Sequence, residues 1–312
     1  MHHHDHDHPH DHHHDHHDIR PLRIAMAITT SILVLQIVGG VVSGSLALLS
    51  DAGHVFVDLG SLLIAYTGLH LAARARERHD ARYTFGLRRI EILAALTNGF
   101  LLVGMCIFIA IEAVERFFDP HDVHAEAMLY VAIAGFIGNG ISAWYLHRSD
   151  HITTQSAYLH VLTDLGSSAG VIVAAVLLEL TGWQWIDPAI SLAIALIILR
   201  GAGAVIYRAG VILMESAPQN IDPENVRTGL GALDGVLDVH DVHIWELGHR
   251  DVKASVHVVT DQPTDDMVRN VQAYLREHCS INHATVQVES PLLASDCGTC
   301  DPLPNTEHEE HP

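Results

Sequence analysis

Cysteine and positive charge are both scarce in this sequence. Its 312 residues include only 4 Cys, too few and too scattered for a disulfide framework; we expect Cys106 to be a packing residue and Cys279 a structural one. The 17 Lys and Arg stand against 37 Asp and Glu, and the formal net charge of −20 argues against a nucleic-acid partner. The N-terminus lacks an apolar run with a small-residue cleavage site, so no cleaved signal peptide is expected.

Apolar segments dominate the middle of the chain. The mean hydropathy is positive, which is typical of an integral membrane protein with a soluble appendage. Each segment is long enough to cross a hydrocarbon core of roughly 30 Å. The segments are 23–43, 45–72, 90–116, 125–147, 154–180 and 187–208. The sequence therefore predicts an all-α membrane domain of six transmembrane helices over 21–208, followed by a small α+β cytoplasmic domain.

The distribution of arginine predicts the orientation in the membrane. The connection 72–90 is rich in Arg, so the positive-inside rule places it in the cytoplasm. Six crossings then leave both termini in the cytoplasm. The connection 117–124 has no Lys or Arg, and Trp183 and Trp185 are expected at the outer interface. We therefore expect a multi-pass protein of the cell inner (plasma) membrane.

One spacing occurs twice within the apolar segments: His54-x-x-x-Asp58 and His160-x-x-x-Asp164. Within each pair, the His and the Asp lie one helical turn apart on the same face of a helix. Ionisable groups in a bilayer are costly and usually functional. Two His and two Asp can form a tetrahedral site that suits zinc, although these residue types do not exclude Co²⁺, Ni²⁺ or Cd²⁺. The alternative, that each pair only hydrogen-bonds a neighbouring helix, is less favoured for two matched pairs.

Three further polar residues lie in the apolar segments. Asp51 shares the face of His54 and Asp58, and we expect it to support the site. Asn98 and Asn139 are expected to make hydrogen bonds between helices.

The two ends of the chain differ from the apolar middle. Residues 1–20 form a His/Asp-rich tail that is predicted to be disordered and able to bind divalent metal loosely. The range 209–302 is predicted to be the α+β domain, which binds zinc, and 303–312 a second polar tail. Within the domain the predicted helices are 223–234 and 264–278, and the predicted strands are 236–247, 252–259 and 284–289.

The α+β domain is rich in residues that bind metals. Imidazole and thiolate together are characteristic zinc ligands, so we predict zinc binding here. The candidates are His240, His243, His257, His283, Glu289, Cys297 and Cys300.

Several motifs in order along residues 20–302 resemble the cation diffusion facilitator family. The likeness is greatest to its zinc-transporting branch, as in a bacterial zinc efflux protein similar to vesicular zinc transporters. The motifs are the two His-x-x-x-Asp pairs, Ser50-Asp-Ala-Gly-His54, Tyr83-Thr-Phe-Gly86 with Arg88-Arg89-Ile-Glu91, and Val242-His-Ile-Trp245 with Val286-Gln-Val-Glu-Ser290.

The resemblance implies a homodimer that exports Zn²⁺ from the cytosol in exchange for protons. It also implies metallochaperone-like cytoplasmic domains, in which zinc is a structural or regulatory ion as well as the transported substrate. Carried over, the transport ligands are His54, Asp58, His160 and Asp164.

The resemblance also assigns the cytoplasmic ligands. His243, His257 and Glu289 match one zinc site, and His240 matches a metal-site histidine of another branch. His283, Cys297 and Cys300 match a second site, which takes a further ligand from the N-terminal tail of the other subunit. Some members have a site in the loop between the second and third helices, with His after Phe-Gly. Here that position is Leu87, near His79 and Asp80, so a complete loop site is not expected.

Two other classes of protein fit the sequence less well. A membrane metalloenzyme is disfavoured because the chain lacks a His-Glu-x-x-His helix, and four protein ligands leave no open position for a catalytic water. A metal sensor or store is favoured weakly by the His tract, but a store needs no ligands in lipid. The leading hypothesis is a transporter and not an enzyme, with membrane lipid and protons as its other partners.

Overall fold

The computed structural model describes residues 20–77, 84–85, 89–147, 152–248, 251–261 and 264–292. Within these ranges the chain begins with long helices and ends with a small mixed region. The long helices are α1 Arg20–Ser43, α2 Leu46–Glu77, α3 Ile90–Phe118, α4 Ala125–His147, α5 Ile152–Thr181 and α6 Ile186–Leu213. The mixed region contains α7 Pro223–Gly231, β1 Asp238–Glu246, β2 Val252–Val259, α8 Asp265–Cys279 and β3 His283–Glu289.

Among the described residues, five of the long helices are long and apolar enough to cross a membrane: α1, α3, α4, α5 and α6. Many of their large apolar side chains face outward, including Val41, Phe108 and Ile197, each about two-thirds exposed. Such a surface suits lipid and is too extensive for a soluble protein. The helical part is therefore a transmembrane domain, with helices at all six predicted positions.

The chain packs as two compact units, and the division between them cuts α2 after Phe56, α3 before Cys106 and α6 after Ile197. In the first unit α4 packs against both α1 and α5. Glycine allows α1 and α4 to approach closely: a Cβ at Gly138 would lie 2.6 Å from Cδ1 of Ile32. Close approach through small residues is the usual way that helices associate in lipid.

The start of α2 is held by a buried carboxylate at the start of α6. Asp187 accepts hydrogen bonds from Ser45 Oγ at 2.6 Å and from the Leu46 backbone N–H at 2.8 Å. Free N–H groups at a helix N-terminus favour an anion. Arg116 of α3 lies 3.7 Å from Asp187 and donates to the carbonyl oxygen of Gly44 at 2.6 Å. This network determines where α2 begins, and His54 lies about two turns later.

In the second unit, the α+β region forms a three-stranded sheet in the order β1-β2-β3. The pair β1–β2 is antiparallel and the pair β2–β3 is parallel. Helix α7 contacts β1, and α8 contacts β3. Buried residues from helices and strands form one core: Val226, Leu230, Val239, Ile244, Ala254, Val256, Val258, Met267, Val271, Leu275 and Ile281.

Capping residues determine the limits of the two short helices. Asp222 accepts from the Glu224 N–H at 3.0 Å, and Pro223 follows it at the first position of the helix. Thr264 caps the start of α8, and Ser280, directly after its last residue, adopts the left-handed conformation with φ 57°. The strand β2 spans the predicted range, while α7 is three residues shorter than predicted.

Candidate metal sites

His54 of α2 and Asp164 of α5 form a buried pair within the first unit. Their side chains meet at 3.1 Å between Nε2 and Oδ1. His54 is 7% exposed and Asp164 2% exposed. The second oxygen of this carboxylate, Oδ2, is buried and accepts no hydrogen bond from the described residues. An imidazole nitrogen and a carboxylate oxygen that converge in this way are the donor types that zinc prefers.

His160 extends this pair along α5. Its Nε2 lies 3.9 Å from Oδ2 of Asp164, one helical turn away. The side chain of His160 is 47% exposed, so it reaches toward the surface of the unit while Asp164 is buried. The structure thus brings three of the sequence-predicted groups together: His54, His160 and Asp164.

Asp58 lies one turn after His54 on α2 and belongs to the second unit. Asn98 of α3 donates from Nδ2 to its Oδ1 at 3.0 Å. The other predicted interhelical contact joins α4 to α5, where Asn139 Nδ2 donates to Ser168 Oγ at 3.4 Å. Both asparagines therefore make the hydrogen bonds between helices that the sequence predicts.

Asp51 is held by two residues that the sequence does not single out. Gln36 of α1 donates to its Oδ2, and Ser167 of α5 donates to its Oδ1. Asp51 is 1% exposed, and its Oδ1 lies 3.9 Å from Nδ1 of His54. One available signal is the position of Gln36, an amide within an otherwise apolar stretch of α1.

A second cluster lies on the sheet of the α+β region and is formed by His240, His257 and Glu289. One ligand atom from each residue lies within 4.8 Å of the others. Nδ1 of His257 is 2.9 Å from Oε1 of Glu289, and Nε2 of His240 is 3.5 Å from Oε2. Those last two atoms are buried without a hydrogen-bond partner among the described residues. Because unsatisfied buried polar atoms are costly, the arrangement suits a bound cation.

A β-bulge in β1 places two histidines on the same face of the sheet. His240 pairs with His257 and His243 pairs with Ser255, with a register shift between them. Asp241 within the bulge has a positive φ of 51°. Without the extra residue, His243 would point to the opposite face from His240. His243 reaches the cluster through Asp241, whose carboxylate lies 3.0 Å from His243 Nε2 and 3.5 Å from His257 Nε2.

The remaining predicted cytoplasmic ligands lie elsewhere. His283 pairs with Lys253 at the start of β3, six residues before Glu289. Cys297 and Cys300 lie outside the described residues, as do His79, Asp80 and Leu87 of the suggested loop site.

Comparison with known proteins agrees with this organisation. Residues 22–214 match the cation efflux transmembrane domain, and residues 218–291 match the cytoplasmic domain of cation efflux proteins. The zinc transporter ZitB of Yersinia pestis is 40% identical over 93% of this chain and 94% of that protein. ZitB of Escherichia coli is 35% identical over 99% of both.

A third relative is named for a broader set of ions. The cadmium, cobalt and zinc/H(+)-K(+) antiporter of Bacillus subtilis is 34% identical over 93% of this chain and 95% of its own length. The relatives and the family are transporters and not enzymes. With buried imidazole and carboxylate among its apolar helices, the chain belongs to the cation efflux family of multi-pass membrane transporters.

Proposed function

We propose that this protein exports Zn²⁺ from the cytosol in exchange for protons. The observation that carries the proposal is the contact of His54 with Asp164 between two apolar helices at 3.1 Å. A buried ionisable pair in lipid is costly to maintain, which favours a role in the transport of a charged substrate. The names of the relatives, two zinc transporters and a zinc/H(+)-K(+) antiporter, support the same cargo and counter-ion.

The proposed transport site contains His54, Asp58, His160 and Asp164. Three of these residues are supported by the contacts within the first unit. Asp58 is included because it follows His54 by one turn on the same helix. Four nitrogen and oxygen donors fill a tetrahedral zinc sphere, which suits transport better than catalysis because no position is left for water.

Proton exchange follows from the chemistry of these ligands. Zinc binds neutral imidazole and ionised carboxylate, so its arrival displaces protons from the same groups. We propose that the imidazoles of His54 and His160 carry these protons, because they are ligands that must be neutral to bind the ion. Zinc taken from the cytosol then leaves on the outer side as external protons replace it.

The proposed topology has six membrane crossings with both termini in the cytoplasm of the inner membrane. α2 is included as the sixth span because its sequence is apolar over residues 55–72, with a single Asp and no Glu, Lys or Arg in that stretch. Its 32 residues exceed the roughly 20 that a crossing needs. The Arg-rich 72–90 connection supports a cytoplasmic position for the end of this helix.

The cytoplasmic domain is proposed to dimerise and to bind zinc as a structural or regulatory ion, in the manner of a metallochaperone-like domain. His240, His257 and Glu289 would hold one ion, with Asp241 and His243 beside it. The buried Nε2 of His240 and Oε2 of Glu289 support this assignment. His283, Cys297 and Cys300 are proposed for a second ion, on the sequence and resemblance alone.

A second candidate function is export of other divalent metals. The Bacillus subtilis relative is named for cadmium and cobalt as well as zinc. Imidazole and carboxylate do not exclude either ion.

The test of the proposal is zinc-driven proton flux in proteoliposomes with a pH-sensitive dye inside. Zinc movement should drive protons in the opposite direction, and collapse of the pH gradient should slow net transport. Zn²⁺, Cd²⁺ and Co²⁺ are compared in inverted vesicles. Glu179→Ala, which removes an exposed carboxylate from α5, is the matched control for Asp164→Ala. Zinc transport at an unchanged rate without proton movement would refute the antiport.

A further inference from the structure

Asp51 is buried among three helices of the first unit, one turn before His54. Its carboxylate accepts from Gln36 on α1 through Oδ2 and from Ser167 on α5 through Oδ1. Asp51 itself lies on α2, so these two hydrogen bonds join α2 to α1 and to α5. Only 1% of Asp51 is exposed. A carboxylate whose two oxygens both accept hydrogen bonds has little freedom to rotate, so its position relative to the neighbouring side chains is fixed.

The same carboxylate faces the ring nitrogen of His54 that does not meet Asp164. Oδ1 of Asp51 is 3.9 Å from Nδ1, while Nε2 on the other side of the ring is 3.1 Å from Asp164 Oδ1. A gap of 3.9 Å exceeds a direct hydrogen bond, and a small rotation of the ring would close it. The imidazole of His54 therefore lies between two carboxylates, with Asp51 on the Nδ1 side and Asp164 on the Nε2 side.

We propose that Asp51 is a positioning residue that fixes the ring of His54, with Gln36 and Ser167 holding Asp51 in place. This inference rests on the proposed transport function. Metal-binding histidines commonly direct their second nitrogen to a carboxylate, which sets the tautomer and orientation of the ring. Nδ1 carries the proton facing Asp51, and Nε2 keeps its lone pair for the transported ion. Asp51 thus acts on transport through His54 and does not bind zinc itself.

The main variant is Asp51→Asn, which keeps the size of the side chain but removes the charge and one acceptor: its amide oxygen can still accept from Ser167, and its NH2 group can donate to the amide oxygen of Gln36 once that side chain turns over. Loss of such a carboxylate partner typically weakens metal affinity by about 10 to 100-fold. We expect the zinc KM in proteoliposomes to rise by about tenfold or more, with the maximal rate reduced much less. Thermal unfolding and size-exclusion elution of the detergent-solubilised protein should match wild type. An unchanged KM would overturn the proposal.

The serine contact provides a matched pair of variants on α5. Ser167→Ala removes one donor to Asp51, and we expect the zinc KM to rise by about two- to fivefold. Ser168→Ala is the control: this adjacent buried hydroxyl contacts Asn139 and not Asp51. Its KM should stay at the wild-type value. Equal effects of the two variants would show that loss of any buried hydroxyl on α5 suffices, against a specific role for Ser167.

A double-mutant cycle separates positioning from direct metal binding. In a His54→Asp background there is no ring to orient, so adding Asp51→Asn should change the zinc KM by less than about twofold. If Asp51 bound the metal directly, or only stabilised the helix packing, Asp51→Asn would weaken transport both in the wild-type protein and in the His54→Asp variant. That result would show the proposal to be wrong.

The parent function has its own readout in the same assay. His54→Ala should abolish transport if His54 binds the cargo. Normal transport by His54→Ala would refute the proposed site itself. Loss of transport in His54→Ala together with a silent Asp51→Asn would refute only the positioning role.

Discussion

The two groups of candidate metal ligands use the same donor types in different settings. His54 and Asp164 project from two apolar helices, whereas His240, His257 and Glu289 project from a sheet. Their carboxylates are equally buried, since Asp164 and Glu289 are each 2% exposed. The routes to that burial differ. In a helix, residues four positions apart share one face. In a strand, only every second residue lies on a given face, and the bulge in β1 alters that alternation so that His240 and His243 share a face.

This difference predicts unequal responses to mutation. The helical pair is set among helices suited to lipid, where a lost ligand leaves the remaining buried groups without compensation. The sheet cluster belongs to the α+β region, which has its own hydrophobic core. Loss of a ligand from this cluster should therefore leave the long helices intact. Ligands of the first cluster should therefore be essential for transport, and ligands of the second should modulate it.

The largest expected effect is the loss of a ligand from the helical pair. Asp164→Ala should lower zinc transport by more than about 100-fold, because the proposed site loses a ligand and His54 loses its buried partner. Asp58→Ala should have a similar effect. Uptake into inverted vesicles measures both, with Glu179→Ala as control. Near-normal transport rates in both Asp variants would show that the helical ligands are no more important for transport than the sheet ligands.

A smaller change should come from replacing one donor type by another. His54→Asp keeps a ligand but substitutes a less directional carboxylate for an imidazole, which tolerates a larger ion. We expect the Zn/Cd rate ratio to fall by about tenfold, which corresponds to about 1.4 kcal/mol of discrimination. Competition between the two ions in proteoliposomes measures this ratio. An unaltered ratio would mean that the shape of the pocket sets selectivity.

The sheet cluster should show a still smaller effect on transport. His257→Ala should remove about one zinc per protomer while transport stays within about threefold of wild type, because this cluster is outside the proposed membrane path. His240→Ala should lose metal to the same extent. His243→Ala should lose less, since His243 reaches the cluster only through Asp241. Zinc analysis of the purified full chain tests this order, and a greater loss from His243→Ala would reverse the assignment.

The smallest effect is expected at a surface pair in neither cluster. Arg227 donates to Glu224 at 2.5 Å and 3.0 Å, which lowers the pKa of Glu224 and raises the pKa of Arg227. A carboxyl group whose pKa is lowered by folding stabilises the folded state at pH values above its pKa in the unfolded chain. That stabilisation is lost as the pH falls through its pKa in the folded protein. Solvent screens this exposed pair.

Glu224→Gln should therefore lower the thermal midpoint by about 1 °C or less near neutral pH, with the difference vanishing in acid. Calorimetry with Glu277→Gln on α8 as control measures the shift. A difference that persists in acid would show that the ion pair is not its source.

The helices, and the placement of each His-x-x-x-Asp pair on one helix face, could be predicted because their signals are local. Long apolar segments and an i, i+4 spacing of His and Asp follow from the rise and pitch of a helix. All six long helices overlap the segments predicted for them. The caps Asp222 and Pro223 could also be predicted, since each acts on its immediate neighbours.

The contacts across the fold could not be predicted in the same way. Nothing in the sequence near Asp51 indicates that Gln36 and Ser167 would bind it, because they are 15 and 116 residues away. The cap of α2 by Asp187 is equally remote, at a separation of 142 residues from Ser45. A supporting role for Asp51 follows from its place on the helix face, but its partners required the packed helices.

The sequence by itself determined the apolar helices, the His and Asp residues spaced one turn apart and the order of strands and helices in the small domain, because each depends on short-range periodicity. Only the tertiary structure decided which groups meet. It placed His54 against Asp164 through the packing of remote helices. It also brought His240 to His257 and Glu289 through strand register and the bulge at Asp241, which the spacing of residues along β1 does not specify.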